Sequence, residues 1–244
     1  MKMVRPLGLA LLIALAACSK KADQTAKPVG PIAAVQPPAG KQWTDIVSAT
    51  PQGGMLMGNP DAPVKIVEYA SYTCPHCKLF EQEGAEPLQQ KYVSTGKVSW
   101  EFRSFLIHAP DLAVTMLMNC RGPGPFFPLA QQLYAAQDDW LGKMANLPAA
   151  EQQRIATLAP VDQFKAYAAA GDLYGFLGVR GLPQAQADAC LSDKAALDKV
   201  TANQDRATNQ DQVDSTPTFF INGAKQTDMA SWAQLDAQLT NILH

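Results

Sequence analysis

Ser71-Tyr72-Thr73-Cys74-Pro75-His76-Cys77 follows directly on the apolar run Val64-Lys65-Ile66-Val67-Glu68-Tyr69-Ala70. A C-x-x-C placed after a strand and at the start of a helix is the pattern of thiol–disulfide exchange. Pro75 suits the first helical position, where a missing N–H costs nothing. Cys74 then lies at the helix N-terminus, where unpaired N–H groups and the helix dipole favour a thiolate. Cys77, three residues on, shares its helical face and can close a short disulfide with it. The competing readings are a buried cysteine pair or half of a zinc site. Structural zinc takes four ligands, yet there is no second C-x-x-C, and the other histidines are His108 and His244. No metal and no cofactor are expected.

The first residues read as an address. Lys2 and Arg5 precede the apolar run 7–17, too short to span a bilayer, and Leu15-Ala16-Ala17-Cys18 follows. That tetrapeptide resembles the lipobox of bacterial lipoproteins. Residues 1–17 are then a signal peptide and Cys18 the lipidated residue, with an ordinary signal peptide cut nearby as the alternative. Several acyl chains on one residue would anchor stably to a membrane. Ser19 after the cysteine points to the outer membrane under bacterial sorting rules. Residues 18–42, rich in Lys, Ala, Pro and Gly, read as a flexible tether. Loss of Lys2 and Arg5 leaves 18 Lys+Arg against 22 Asp+Glu, a net charge of −4, which gives no basic footprint for nucleic acid.

Five cysteines divide into Cys18 for lipid, Cys74 and Cys77 for redox, and Cys120 and Cys190. An oxidising compartment favours pairing the last two over leaving two separate buried thiols. Such a bridge would stabilise the fold by roughly 4 kcal/mol.

Val98-Ser99-Trp100-Glu101-Phe102-Arg103 alternates as a strand, and residues 111–210 turn helical, punctuated by prolines. Thr218-Phe219-Phe220-Ile221 gives a further strand, Asn222-Gly223 a hairpin turn, and Trp232, Leu235, Leu239 and Ile242 an amphipathic helix. The order is that of an α/β domain interrupted by a helical one, 43–110 and 211–244 flanking 111–210.

With these residues in view, the chain resembles the DsbA-type branch of the thioredoxin superfamily. The resemblance rests on Cys74-Pro75-His76-Cys77, the strand before it, the helical block, and Ser215-Thr216-Pro217-Thr218-Phe219-Phe220 with its Asn-Gly. It covers roughly residues 53–244 and implies a thioredoxin fold with an inserted helical domain and a cis Thr216–Pro217 bond. It further implies that Pro75, Thr216 and Pro217 face the substrate chain, that His76 tunes the redox potential, and that Glu68 sits beneath the disulfide and assists proton transfer. Strand alternation puts Glu68 on an otherwise apolar face, and the plainer alternative is a strand-end acid reaching solvent. His108 reads as a core-edge or loop residue without a catalytic role. The implied activity is oxidation of dithiols in unfolded exported proteins of the periplasm, with reoxidation by a quinone-linked membrane partner or another disulfide donor. Threonine before Pro217, where the best-known oxidase of the branch has valine, keeps an isomerase or reductase open. A metal-handling or holdase protein is the remaining alternative.

Overall fold

The structure is a computed structural model that describes residues 32–243; the signal segment, Cys18 and the first part of the tether lie outside the described residues. From Ile32 onward the stretch expected to be free is docked. Ile32 packs on the core, Val35 N–H donates to Thr95 O (3.0 Å), and the Trp43 indole donates to Val35 O (2.7 Å). A buried indole N–H needs an acceptor, and the Val35 carbonyl supplies it.

Strands β1 (Val47–Ala49) and β2 (Met55–Gly58) form an N-terminal hairpin that the sequence pattern did not announce. Next comes β3 (Val64–Ala70), then α1 (Pro75–Phe80), whose helix continues through wider turns at Glu81–Ala85 and Leu88–Tyr92. Pro87, with no N–H to give to the preceding turn, falls between the two. At Gly84 an added Cβ would lie 3.0 Å from the Trp232 Cβ, so a hydrogen there lets the C-terminal helix approach. β4 (Val98–Ser104) runs parallel to β3, and β2 pairs antiparallel with β4, Met57 opposite Trp100.

The helical block comprises α2 (Ala109–Cys120), α3 (Phe126–Ala135), α4 (Gln137–Ala145), α5 (Ala149–Ala156), α6 (Pro160–Ala170), α7 (Leu173–Gly178), α8 (Gln184–Leu191) and α9 (Lys194–Asn209). Prolines set several starts: Pro125, Pro148 and Pro183 occupy N-caps and Pro160 a first turn. Asp193 caps α9 by accepting from Ala195 N and Ala196 N. α2 is buried on nearly all sides, from Ala113 to Met118, and packs against α3, α6, α8 and α9. A disulfide joins Cys120 at its C-terminus to Cys190 of α8, with Cα atoms 5.9 Å apart.

β5 (Thr218–Ile221) returns antiparallel to β3 and turns through Asn222 (φ 50°) and Gly223 (φ 81°) into β6 (Ala224–Lys225). Positive φ at both central residues is what a type I′ hairpin demands. α10 (Trp232–Leu243) buries Leu235 and Leu239. The sheet order is β1-β2-β4-β3-β5-β6, which makes β3, the strand feeding the cysteines, a central one. This is the thioredoxin fold with a helical insertion between its halves. No helix of the described residues is long and apolar enough to cross a membrane.

Candidate redox site

Cys74 is the N-cap of α1 with Pro75 at N1, and both Cys74 and Cys77 are free thiols. The turn that delivers Cys74 is closed by its own N–H donating to Ser71 O (3.2 Å). The Cys74 thiol faces the cis Thr216–Pro217 bond and donates to Thr216 O at 3.4 Å. Pro75 and His76 are exposed, Thr216 is half-buried and Pro217 buried.

The two sulfurs differ sharply. A hydrogen bond from the Cys77 thiol, aided by the Thr216 side chain and the backbone N–H groups of Cys77 and His76, holds Cys74 down at about 5 against the opposing effect of burial. Cys77, 1% exposed, is pushed up by burial, by its bond to Cys74 and by the negative charge of Glu68. One sulfur is therefore a ready leaving group and the other a reluctant acid.

Beneath them Glu68 is 1% exposed, not a strand-end acid reaching water. Its neighbours across the sheet are Phe102 and Phe219, and its Oε2 accepts from Trp100 Nε1 at 2.9 Å. Burial raises this carboxyl well above the usual range, Glu81 adds repulsion, and the indole bond opposes them. Glu81, four residues after Cys77 on the same helix, is itself pushed up to about 8 by burial. The sequence reading passed over it, although the spacing of four from Cys77 marks the same helical face.

The helical block also grips the redox turn. Tyr134 OH donates to Ser71 O (3.0 Å), and Gln137 Nε2 donates to Tyr72 O (2.8 Å) and Cys74 O (3.0 Å). Asp111 at the start of α2 accepts from Ser71 Oγ, Thr73 N and Thr73 Oγ1. His108, read from the sequence as a core-edge or loop residue, is the N-cap of α2, and its Nδ1 lies 2.8 Å from Thr73 Oγ1. None of these side chains was singled out from the sequence except His108, and that one for a bland role.

A cleft of about 560 Å³ opens beside Pro217, bounded by Asp214, Thr218, Lys225 and Met229. A larger cavity of about 640 Å³ lies against the Cys120–Cys190 bridge and includes none of the redox residues.

A family model described as thioredoxin matches residues 50–241. A crystal structure of a protein-disulfide isomerase from Novosphingobium aromaticivorans is 36% identical and covers 78% of this chain and 96% of its own, with a TM-score of 0.74. Wolbachia pipientis α-DsbA1, 24% identical, covers 80% and 93% with a TM-score of 0.61, a likeness of fold. A Rickettsia bellii protein, provisionally named a protein-disulfide oxidoreductase, is 28% identical over 193 residues, 79% of this chain. The chain spans 65% of that relative's length and 54% of its Rickettsia felis counterpart.

Proposed function

The chain belongs to the thioredoxin family, and from that premise we propose that it is a thiol:disulfide oxidoreductase that introduces disulfides into exported proteins through Cys74 and Cys77. A substrate thiolate attacks Cys74 Sγ of the oxidised pair, forming a mixed disulfide and releasing Cys77. A second substrate thiolate then attacks the substrate sulfur, and Cys74 departs as thiolate. Glu68 takes or returns the Cys77 proton, a task that suits a carboxyl raised by burial. Pro75, Thr216 and Pro217 present backbone to the substrate chain, and the cleft beside Pro217 receives its continuation. His76 tunes the potential from the exposed helix start.

The observation that carries this reading is Cys74 at the N-cap of α1 facing the cis Thr216–Pro217 bond, an arrangement that holds its thiol down at about 5. At pH 7 a thiol so lowered favours the reduced protein by about 3 kcal/mol, or roughly 60 mV. The sign is that of a depressed acid: the benefit is full above the ordinary thiol range and disappears as pH falls through about 5. Equilibrated against glutathione buffers, the Cys74–Cys77 pair is expected near the roughly −120 mV end of the superfamily. A value near −270 mV would make the protein a reductase instead.

An isomerase is the second reading, favoured by the name of the Novosphingobium relative and by Thr216 before Pro217. Refolding of scrambled ribonuclease separates the two, since an oxidase alone performs it poorly.

On this reading residues 1–17 are an export signal, and the protein works in a bacterial periplasm, anchored at the outer membrane through lipidated Cys18. Its partners are unfolded exported proteins with free cysteines and a quinone-linked reoxidase or another disulfide donor. Cys18→Ser is expected to move the protein from the membrane to the soluble fraction. Continued membrane association of that variant would refute the lipid anchor.

A further inference from the structure

We propose that Asp111 is a positioning residue for the exchange reaction: its buried carboxylate gathers the donors of Ser71 and Thr73, holds Cys74 at the start of α1, and so sets how oxidising the Cys74–Cys77 pair is. The inference rests on the oxidoreductase reading and adds to it a residue outside the redox motif.

Asp111, in the first turn of α2, is 1% exposed. Among the described residues no Lys or Arg lies within ion-pair distance of it. A buried carboxylate without a cation is tolerated only where hydrogen bonds take the cation's place. Five donors do so here. Oδ1 accepts from Thr73 N at 3.1 Å and Oδ2 from Thr73 Oγ1 at 3.0 Å, while Ser71 Oγ lies 2.9 Å from both oxygens. Oδ2 also takes the N–H groups of Ile107 and His108, at 3.0 Å each. One side chain thus fastens the redox turn, the loop before α2 and α2 itself to one another, through bonds strengthened by its charge.

The turn is held from both sides. Tyr134 and Gln137 donate to its carbonyls, at Ser71 O, Tyr72 O and Cys74 O. Asp111 takes the hydroxyls of Ser71 and Thr73 and the Thr73 N–H. Cys74 N–H closes the turn onto Ser71 O, so the residues that Asp111 grips are those that aim Cys74.

That aim matters because the groups that favour the Cys74 thiolate are directional. Cys74 caps α1 in an extended conformation, with φ −81° and ψ 124°. In that position its sulfur meets the backbone N–H groups of Cys77 and His76, the Cys77 thiol and Thr216. Hydrogen bonds weaken steeply once their angle is lost. A turn released from Asp111 keeps its cysteines but loosens these bonds, and the thiolate is less favoured. The charge of Asp111 acts the other way, since an anion nearby disfavours a thiolate. Positioning and bare charge therefore predict opposite signs when the carboxylate is removed.

The test equilibrates the Cys74–Cys77 pair with glutathione buffers at pH 7. Asp111→Asn keeps the shape, but in either orientation its NH2 faces a backbone N–H from which it cannot accept: Thr73 at one oxygen position, Ile107 and His108 at the other. The expected result is an equilibrium shifted about tenfold toward the disulfide form, the worth of one hydrogen bond, which is a potential about 30 mV lower. Cys74 should also hold its proton about tenfold more tightly, read from thiolate absorbance. Ser71→Ala/Thr73→Val keeps the charge and removes both hydroxyl donors, so it should lower the potential by a smaller amount. Cys120→Ala/Cys190→Ala controls for lost stability alone, because that bridge sits at the far end of α2, and its potential should match the parent. A potential unchanged or raised in Asp111→Asn, unchanged in Ser71→Ala/Thr73→Val, or lowered as much by loss of the bridge would overturn the proposal. Should Asp111→Asn not fold, the Ser71 and Thr73 variant decides alone. A parent pair that does not equilibrate with glutathione would instead sink the oxidoreductase reading beneath it.

Discussion

Alanine at both Cys120 and Cys190 is expected to lower the unfolding free energy by about 4 kcal/mol and the melting temperature by roughly 8–16 °C. The bridge closes a loop of 70 residues, long enough for the chain-entropy argument to give that magnitude. It also ties the C-terminus of α2 to α8, while the N-terminus of α2 carries Asp111. The bridge acts chiefly on the unfolded chain, however, and α2 keeps its packing against α3, α6, α8 and α9 without it. The redox turn should therefore hold its geometry, and the Cys74–Cys77 potential should be unchanged in the folded variant. Urea unfolding of parent and double variant checks the first claim. A difference below about 1 kcal/mol would mean that the reduced chain is already constrained in this region.

Much of the central sheet was legible because β3, β4 and β5 carry their pattern locally. The motif Cys74-Pro75-His76-Cys77 marks a helix start by itself, and Asn222-Gly223 marks its own turn. β1 and β2 are different. Three and four residues flanking Thr50-Pro51-Gln52-Gly53-Gly54 are too short to show a period, and β2 exists because β4 offers it an edge. The docked stretch after Ile32 was missed for a similar reason. Its composition is that of a linker, and what fixes it is Val35, whose carbonyl accepts from the Trp43 indole and whose N–H donates to Thr95 O, sixty residues on in the sequence.

The candidate site divides the same way. Cys74 and Cys77 were readable from the motif, whereas alternation gave Glu68 only an apolar face and its place in the site came from the resemblance. Tyr134 and Gln137 were not, because they reach the turn from more than sixty residues away in sequence. Asp111 had a signal, an acid three residues after His108 at a helix start, but its local pattern speaks of capping and says nothing of Ser71 and Thr73. Burial, which turns Glu68 and Glu81 from ordinary acids into perturbed ones, is a property of the assembled fold.

Glu81 gives the second large effect. Burial pushes its carboxyl to about 8 from 4.5, so at neutral pH the folded protein holds a proton that the unfolded chain has released. For an acid raised in this way the sign is adverse: stability is lost as pH rises from about 4.5 to about 8 and is level beyond. At pH 7 the loss is about 3 kcal/mol. Glutamine keeps the shape and cannot ionise. Glu81→Gln is therefore expected to match the parent at pH 4, to exceed it by about 3 kcal/mol at pH 7, and to melt roughly 6–12 °C higher there. Thermal melts across this range check the sign, and a difference that does not change with pH would refute the assignment.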